Sequence, residues 1–169
     1  MQPIKEKVTF SKFSVILSAV LTVGLAILLV INGEQNPDIV FTITAIALAC
    51  LMAATAWYMP LAISVDNEAL RIHRLLRTKA LPLADITSIV PCPPTMGEKR
   101  TMGSGGWYGY WGWFSQRDTG RYFAYYGKAS DCFMITLRSG RKYLLGCANP
   151  GNIINAINSR INALPGKKA

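Results

Sequence analysis

The chain has 169 residues, 51% of them hydrophobic, and 18 Lys and Arg against 9 Asp and Glu give a formal net charge of +9. That length is about one ordinary domain. A single histidine, His73, and four cysteines without C-x-x-C spacing exclude a zinc site of recognisable spacing, so neither metal nor cofactor is expected.

The first element is an uncharged run of 18 residues, Ser14 to Ile31 (SVILSAVLTVGLAILLVI). The second is an uncharged run of 25, Ile39 to Ile63 (IVFTITAIALACLMAATAWYMPLAI). At about 1.5 Å per residue they reach roughly 27 and 37 Å, against a hydrocarbon core of about 30 Å. Buried helices of a soluble core would carry polar positions at helical spacing, whereas these runs carry only scattered Ser and Thr. Both read as membrane-spanning helices, at about 14–31 and 39–60, forming a hairpin over residues 1–60. A cleaved signal peptide fits less well, because the NGEQNPD that follows offers no small-x-small cleavage site.

Lys5, Lys7 and Lys12 precede the first run, and Arg71, Arg74, Arg77 and Lys79 follow the second. The loop Asn32–Asp38 holds Glu34 and Asp38 and no base. Positive flanks stay inside, so both termini are expected to face the cytoplasm, with only the short loop outside. From Ser64 onward, 15 Lys and Arg face 6 Asp and Glu, so the whole charge excess lies in the cytoplasmic part. Attraction to an anionic leaflet and a bare orientation signal both account for it. Ser18, Thr22 and Ala26 form one small-residue stripe, and Ala45, Ala49 and Ala53 another. Such stripes join two helices or two copies of the chain, and the short loop favours the first. A homo-oligomer stays open.

Residues 61–164 form the cytoplasmic domain. LAISVDNEALRIHRL alternates on both sides of Asp66-Asn67, which predicts a β-hairpin with His73 on its polar face. A short strand over Arg77–Leu81 follows, then prolines at 91, 93 and 94 and a polar loop over Thr95–Thr101. DCFMITL and KYLLGC flank Ser139-Gly140, which predicts a second hairpin with a two-residue turn. Asn149 and Pro150 open a helix whose Ile153, Ile154, Ile157, Ile161 and Leu164 share one face. Residues 165–169 form a basic tail.

Between Met102 and Phe114 lie five glycines and six aromatic side chains. The spacing fits no phosphate loop, because Tyr108 stands where G-x-G-x-x-G needs its third glycine. An ion filter would lie between the two spans, which this stretch does not. Nucleic-acid reading is not expected, since the basic residues do not interleave with these aromatics. Alternation from Trp107 to Phe114 predicts a strand, with Trp107, Trp111 and Trp113 on one face. A turn at Asp118–Gly120 then pairs it with RYFAYY, Arg121–Tyr126.

LPLADITSI, GSGGWYGYWGWF, GRYFAYYG, LRSGRKYLL and NPGNIINAI together resemble the bacterial PH-like domains, a family in which two spanning helices often precede the domain. The resemblance covers residues 61 to about 164. It implies an α+β fold: two near-orthogonal antiparallel sheets in a partly open barrel or sandwich, capped by a C-terminal helix. It implies no activity, and Arg71, Arg74 and Arg77 do not reproduce a eukaryotic phosphoinositide pocket.

No convergent set of polar groups marks a catalytic site, so no enzyme is expected. The leading reading is a membrane-anchored binding or scaffolding module that docks a protein partner through Trp107, Trp111, Trp113, Tyr122 and Tyr125. The alternative is recognition of anionic lipid headgroups by Lys99, Arg100, Arg117 and Arg121.

Overall fold

The computed structural model describes residues 3–35, 38–95 and 97–163. Leu164 and the basic tail lie outside the described residues.

Two long helices come first, α1 (Lys12–Gln35) and α2 (Ile39–Tyr58). Ser11 Oγ accepts the Ser14 N–H at 3.1 Å, and the Asp38 carboxylate accepts the Phe41 N–H at 2.8 Å, so each first turn has a side-chain cap. α2 stops where Pro60 has no N–H to give, and Pro60–Val65 is already strand. The uncharged run of 25 residues is therefore a helix of 20 followed by the start of a buried strand. Among the described residues, one helix, over Lys12–Gly33, is long and apolar enough to cross a membrane by length and composition. α2 carries a shorter described apolar stretch, Ile39–Thr55, within a helix that ends close to the expected boundary.

Both helices leave their apolar side chains uncovered. Phe13, Ile16, Val20, Val23, Ile27 and Val30 on α1, and Ile39, Val40, Ile43 and Ile46 on α2, are all more than half exposed. A contiguous apolar surface of this extent is unusual on a soluble monomer.

The rest of the chain builds two sheets. The first has β1 (Ile4–Lys7), β2 (Pro60–Val65), β3 (Ala69–Arg74) and β4 (Thr78–Pro82), in that spatial order. The second contains β5 (Ile86–Pro91), β6 (Lys99–Gly106), β7 (Gly109–Gln116), β8 (Gly120–Tyr126), β9 (Cys132–Leu137) and β10 (Lys142–Gly146), in the order β5-β9-β10-β8-β7-β6. The expected antiparallel pattern holds except between β8 and β10, which run parallel, with Phe123 opposite Tyr143. The sheets do not close into a barrel. The helix α3 (Pro150–Ala163) packs on β1, β2 and β5 and closes one side. Ile153 and Ile157 enter the core there, among Ile63, Val65, Leu70, Ile72, Leu83, Ile86, Phe133 and Ile135.

Three expectations change in detail. The chain ahead of α1 is a strand of the domain: Ile4 pairs with Val65 and Lys7 with Ala62, and Val8 is buried in the core. The Glu6 carboxylate accepts from the side-chain amides of Asn149 and Asn152, both at 3.0 Å, which ties β1 to the start of α3. Lys99 and Arg100 lie on β6, not in a loop. The β9–β10 turn has three residues, Arg138–Gly140, with the Leu137 N–H donated to the Arg141 carbonyl and Gly140 at φ +78.

Candidate binding surface

The glycine-aromatic stretch is a ribbon, not a single strand. β6 and β7 pair from Lys99 opposite Ser115 to Gly106 opposite Gly109, and Trp107 and Tyr108 form the turn. Tyr108 has φ 52, the left-handed value a tight turn needs. The expectation that Trp107 shares a strand face with Trp111 and Trp113 is thus corrected, since it sits at the tip.

Direct pairing places Lys99, Ser115 and Arg121 on one face of β6, β7 and β8. Met102, Trp113 and Phe123 share that face, as do Ser104, Trp111 and Tyr125. This is the side that meets the first sheet. Cover is complete at one end, where Tyr125 is 2% exposed and Trp111 stacks on Tyr58 with centroids 5.0 Å apart. It falls away at the other, where Trp113 and Phe123 are half-buried and Met102 is 69% exposed.

Cations line that open end and rest on rings. The Arg121 guanidinium lies 4.5 Å from the Trp113 ring centroid. Lys79 Nζ lies 4.6 Å from the Tyr143 ring and 6.0 Å from Phe123, and donates to the Tyr143 hydroxyl at 2.9 Å. Nearer the helices, Arg74 lies 5.6 Å from the Tyr58 ring. The ion pairs seen among the described residues, Arg71–Asp66 and Lys128–Asp131, involve none of these three cations. The open face therefore offers apolar and aromatic area with positive charge at its edge, features enriched at protein interfaces.

The opposite face of the ribbon is closed. Tyr110 stacks on Tyr126 at 4.6 Å, and Phe114 packs beside Tyr122. The hydroxyls of Tyr122 and Tyr126 donate to the two oxygens of Glu98 at 2.5 and 2.9 Å. Burial, reinforced by the Glu98 carboxylate, pushes both tyrosines well above the usual tyrosine range.

Of the five aromatic residues expected at a contact surface, Tyr122 is 1% and Tyr125 2% exposed. They belong to opposite faces of one strand and fill two different clusters, so neither offers a contact area. Trp107 leans on α1, Trp111 closes the gap to Tyr58, and Trp113 lies on the open face. Of the four expected headgroup residues, all exposed, Lys99, Arg117 and Arg121 stand at the end of the ribbon opposite the tip that touches α1. Only Arg100 turns back, over Gly105, towards Leu17, Leu21 and Leu51 of the helices. Sequence reasoning missed Met102 and Phe123, whose shared face depends on the pairing register, and Lys79, which reaches Phe123 from β4 of the other sheet.

His73 is a pin between strands: its Nε2 shares a hydrogen bond with Ser64 Oγ at 2.8 Å. Burial, then the charges of Lys5 and Arg71, hold its pKa below the ordinary histidine value.

Two sheets with a helix closing one side form a PH-type module. Such modules are in general non-catalytic and serve binding or scaffolding. A family model described as "Bacterial PH domain" matches residues 61–161, and the chain belongs to that family. β1, α1 and α2 lie outside the matched span. No curated protein and no solved structure matches the chain.

Proposed function

We propose that the chain is a membrane-anchored PH-type docking module at the cytoplasmic face of a bacterial membrane. α1 and α2 hold it in lipid. The open face of β6, β7 and β8 takes a segment of a protein partner that carries apolar and acidic side chains. The uncovered apolar surface of both helices supports the anchor. Met102, Trp113 and Phe123 under Lys79, Lys99 and Arg121 support the docking surface, and the arginine-capped Trp113 is the observation that carries it.

Headgroup recognition by Lys99, Arg117 and Arg121 is the weaker reading. These residues stand at the ribbon end remote from the helices, whereas the protein's own bilayer would lie beside them.

A photoreactive benzoyl-phenylalanine in place of Met102, in the full chain in native membranes, tests the docking surface. Crosslinking to a protein is expected, and Arg121→Glu should abolish it. Crosslinks to lipid alone would favour headgroup recognition. A protein crosslink untouched by Arg121→Glu would rule out this use of the face.

A further inference from the structure

Ser14, Ser18 and Thr22 recur every fourth residue on a helix that is otherwise almost wholly apolar. For Ser18 and Thr22, pairing α1 with α2 is the expected use. Instead they face the β6–β7 tip, while Ala49 and Ala53 of the matching stripe on α2 are exposed.

Each hydroxyl meets a polar group of the turn. Ser14 Oγ donates to the Gly106 carbonyl. The Tyr108 N–H donates to Ser18 Oγ at 2.8 Å, and Ser18 Oγ donates to the Ser14 carbonyl at 2.7 Å. Thr22 Oγ1 shares a hydrogen bond with the Tyr108 hydroxyl at 3.0 Å and accepts from the Trp107 indole N–H at 3.4 Å. Ser104 Oγ donates to the Trp107 carbonyl at 2.6 Å, from within the ribbon itself. Ser14 and Ser18 are only 1% and 8% exposed, so these bonds are shielded from water.

A turn in water needs no such arrangement, because water satisfies it. A turn in hydrocarbon does, because each unpaired backbone group there is costly. The position of the tip agrees. It lies along the first turns of the Lys12–Gly33 stretch, and Thr22, ten residues beyond Lys12, is about 15 Å along the axis, half the thickness of a hydrocarbon core. No residue from Met102 to Gln116 is charged. Phe13 and Leu17 of α1 lie against Gly106 at the tip. The exposed Arg100 folds back over Gly105, and a side chain of that length can carry its charge to the headgroups.

We infer that the β6–β7 tip, Gly106–Gly109, is a lipid-embedded wedge. It enters the inner half of the bilayer beside α1, with Trp107 and Tyr108 against lipid and its polar groups held by the α1 hydroxyls. The inference rests on the anchor reading above. It makes the two helices and the tip a three-part anchor, which fixes the tilt of the domain and keeps the open face of the ribbon away from the surface.

The test uses the unaltered full chain in vesicles that contain a lipid with a diazirine midway along its acyl chain. After photolysis, labelled residues are mapped by mass spectrometry. Label on Val23–Ile31 of α1 and on Trp107 or Tyr108, with none on Arg138–Arg141, is the expected result. Label on Val23–Ile31 but none on Trp107 or Tyr108 would overturn the wedge and leave the anchor standing. Label on neither would remove both. A nitroxide on Trp107→Cys, with Cys50→Ala and Cys92→Ala, reads the same point independently. Loss of accessibility to a water-soluble nickel reagent is expected, and full accessibility would overturn the wedge.

Discussion

Gly103 and Gly112 face each other across the β6–β7 ribbon so closely that neither position can carry a side chain. A Cβ on Gly103 would stand 2.7 Å from the Gly112 Cα and 2.1 Å from the Trp111 carbonyl oxygen. A Cβ on Gly112 would stand 2.7 Å from the Gly103 Cα and 2.2 Å from the Met102 carbonyl oxygen. Both have left-side backbone angles, φ +129 and +123. The obstacles are backbone atoms, which cannot swing aside, so Gly112→Ala is expected to cost about 3 kcal/mol or more. Denaturant unfolding in detergent, followed by tryptophan fluorescence, measures this. An unchanged midpoint would mean that the two strands do not approach this closely at Gly103 and Gly112.

β1 lies outside the matched family span yet completes the first sheet. Beyond the β1–β2 pairing, the Val8 N–H donates to the Leu61 carbonyl and the Ala148 N–H to the Lys7 carbonyl. A fragment of residues 60–163 should therefore be poorly folded alone. A synthetic peptide of residues 3–11 should restore it by adding the missing edge strand. Dispersed amide signals in an NMR spectrum on adding the peptide are the expected readout. A fragment equally well folded without it would show that β1 is dispensable.

Glu98 holds two tyrosine hydroxyls from a chain segment that otherwise crosses the outer face of the second sheet. Tyr122→Phe removes one of them and leaves a carboxylate oxygen short of a partner. A loss of about 1–3 kcal/mol is expected, as for hydrogen bonds to charged groups. Tyr126→Phe should behave alike, and the double variant should depart from the sum of the two, because both hydroxyls bind one carboxylate.

Stability should fall in alkali. Burial pushes the Cys147 thiol up to about 12 and Tyr125 up to about 12 in the folded chain. The unfolded chain releases those protons at about 8.5 and 10, so above pH 9 the folded state binds more protons than the unfolded one. The stabilisation is complete below pH 8 and is lost progressively towards pH 12. Thermal midpoints measured from pH 8 to 11 should decline, and Cys147→Ala should flatten the first part of that decline. A level profile would contradict the burial of both groups.

Much of this fold could be read along the chain, and the misses share a cause. The β2–β3 and β9–β10 hairpins and α3 were legible because each carries its own turn or cap residues next to a clear apolar period. The end of α2 was blurred because a buried strand, Pro60–Val65, is as apolar as the helix before it, and hydropathy does not separate the two. β1 has four residues and pairs with a strand more than fifty positions away, beyond any local signal. Trp107 and Tyr108 favour strands by type, but Gly106 and Gly109 on either side, both at positive φ, turn the chain there. Tyr122 and Tyr125 looked alike in sequence, and their odd spacing sends them to opposite faces. The open face was half legible: Trp113 and Arg121 were singled out, but the register that joins them to Met102 and Phe123, and the reach of Lys79 across from β4, are tertiary properties.

Extraction of membranes from cells that make the full chain, with carbonate at pH 11, tests most directly whether α1 and α2 hold the domain in lipid. Retention in the membrane pellet, with release only by detergent, is the expected result. Release of the folded chain into the supernatant as a soluble species would contradict the anchor, and with it the docking geometry and the wedge.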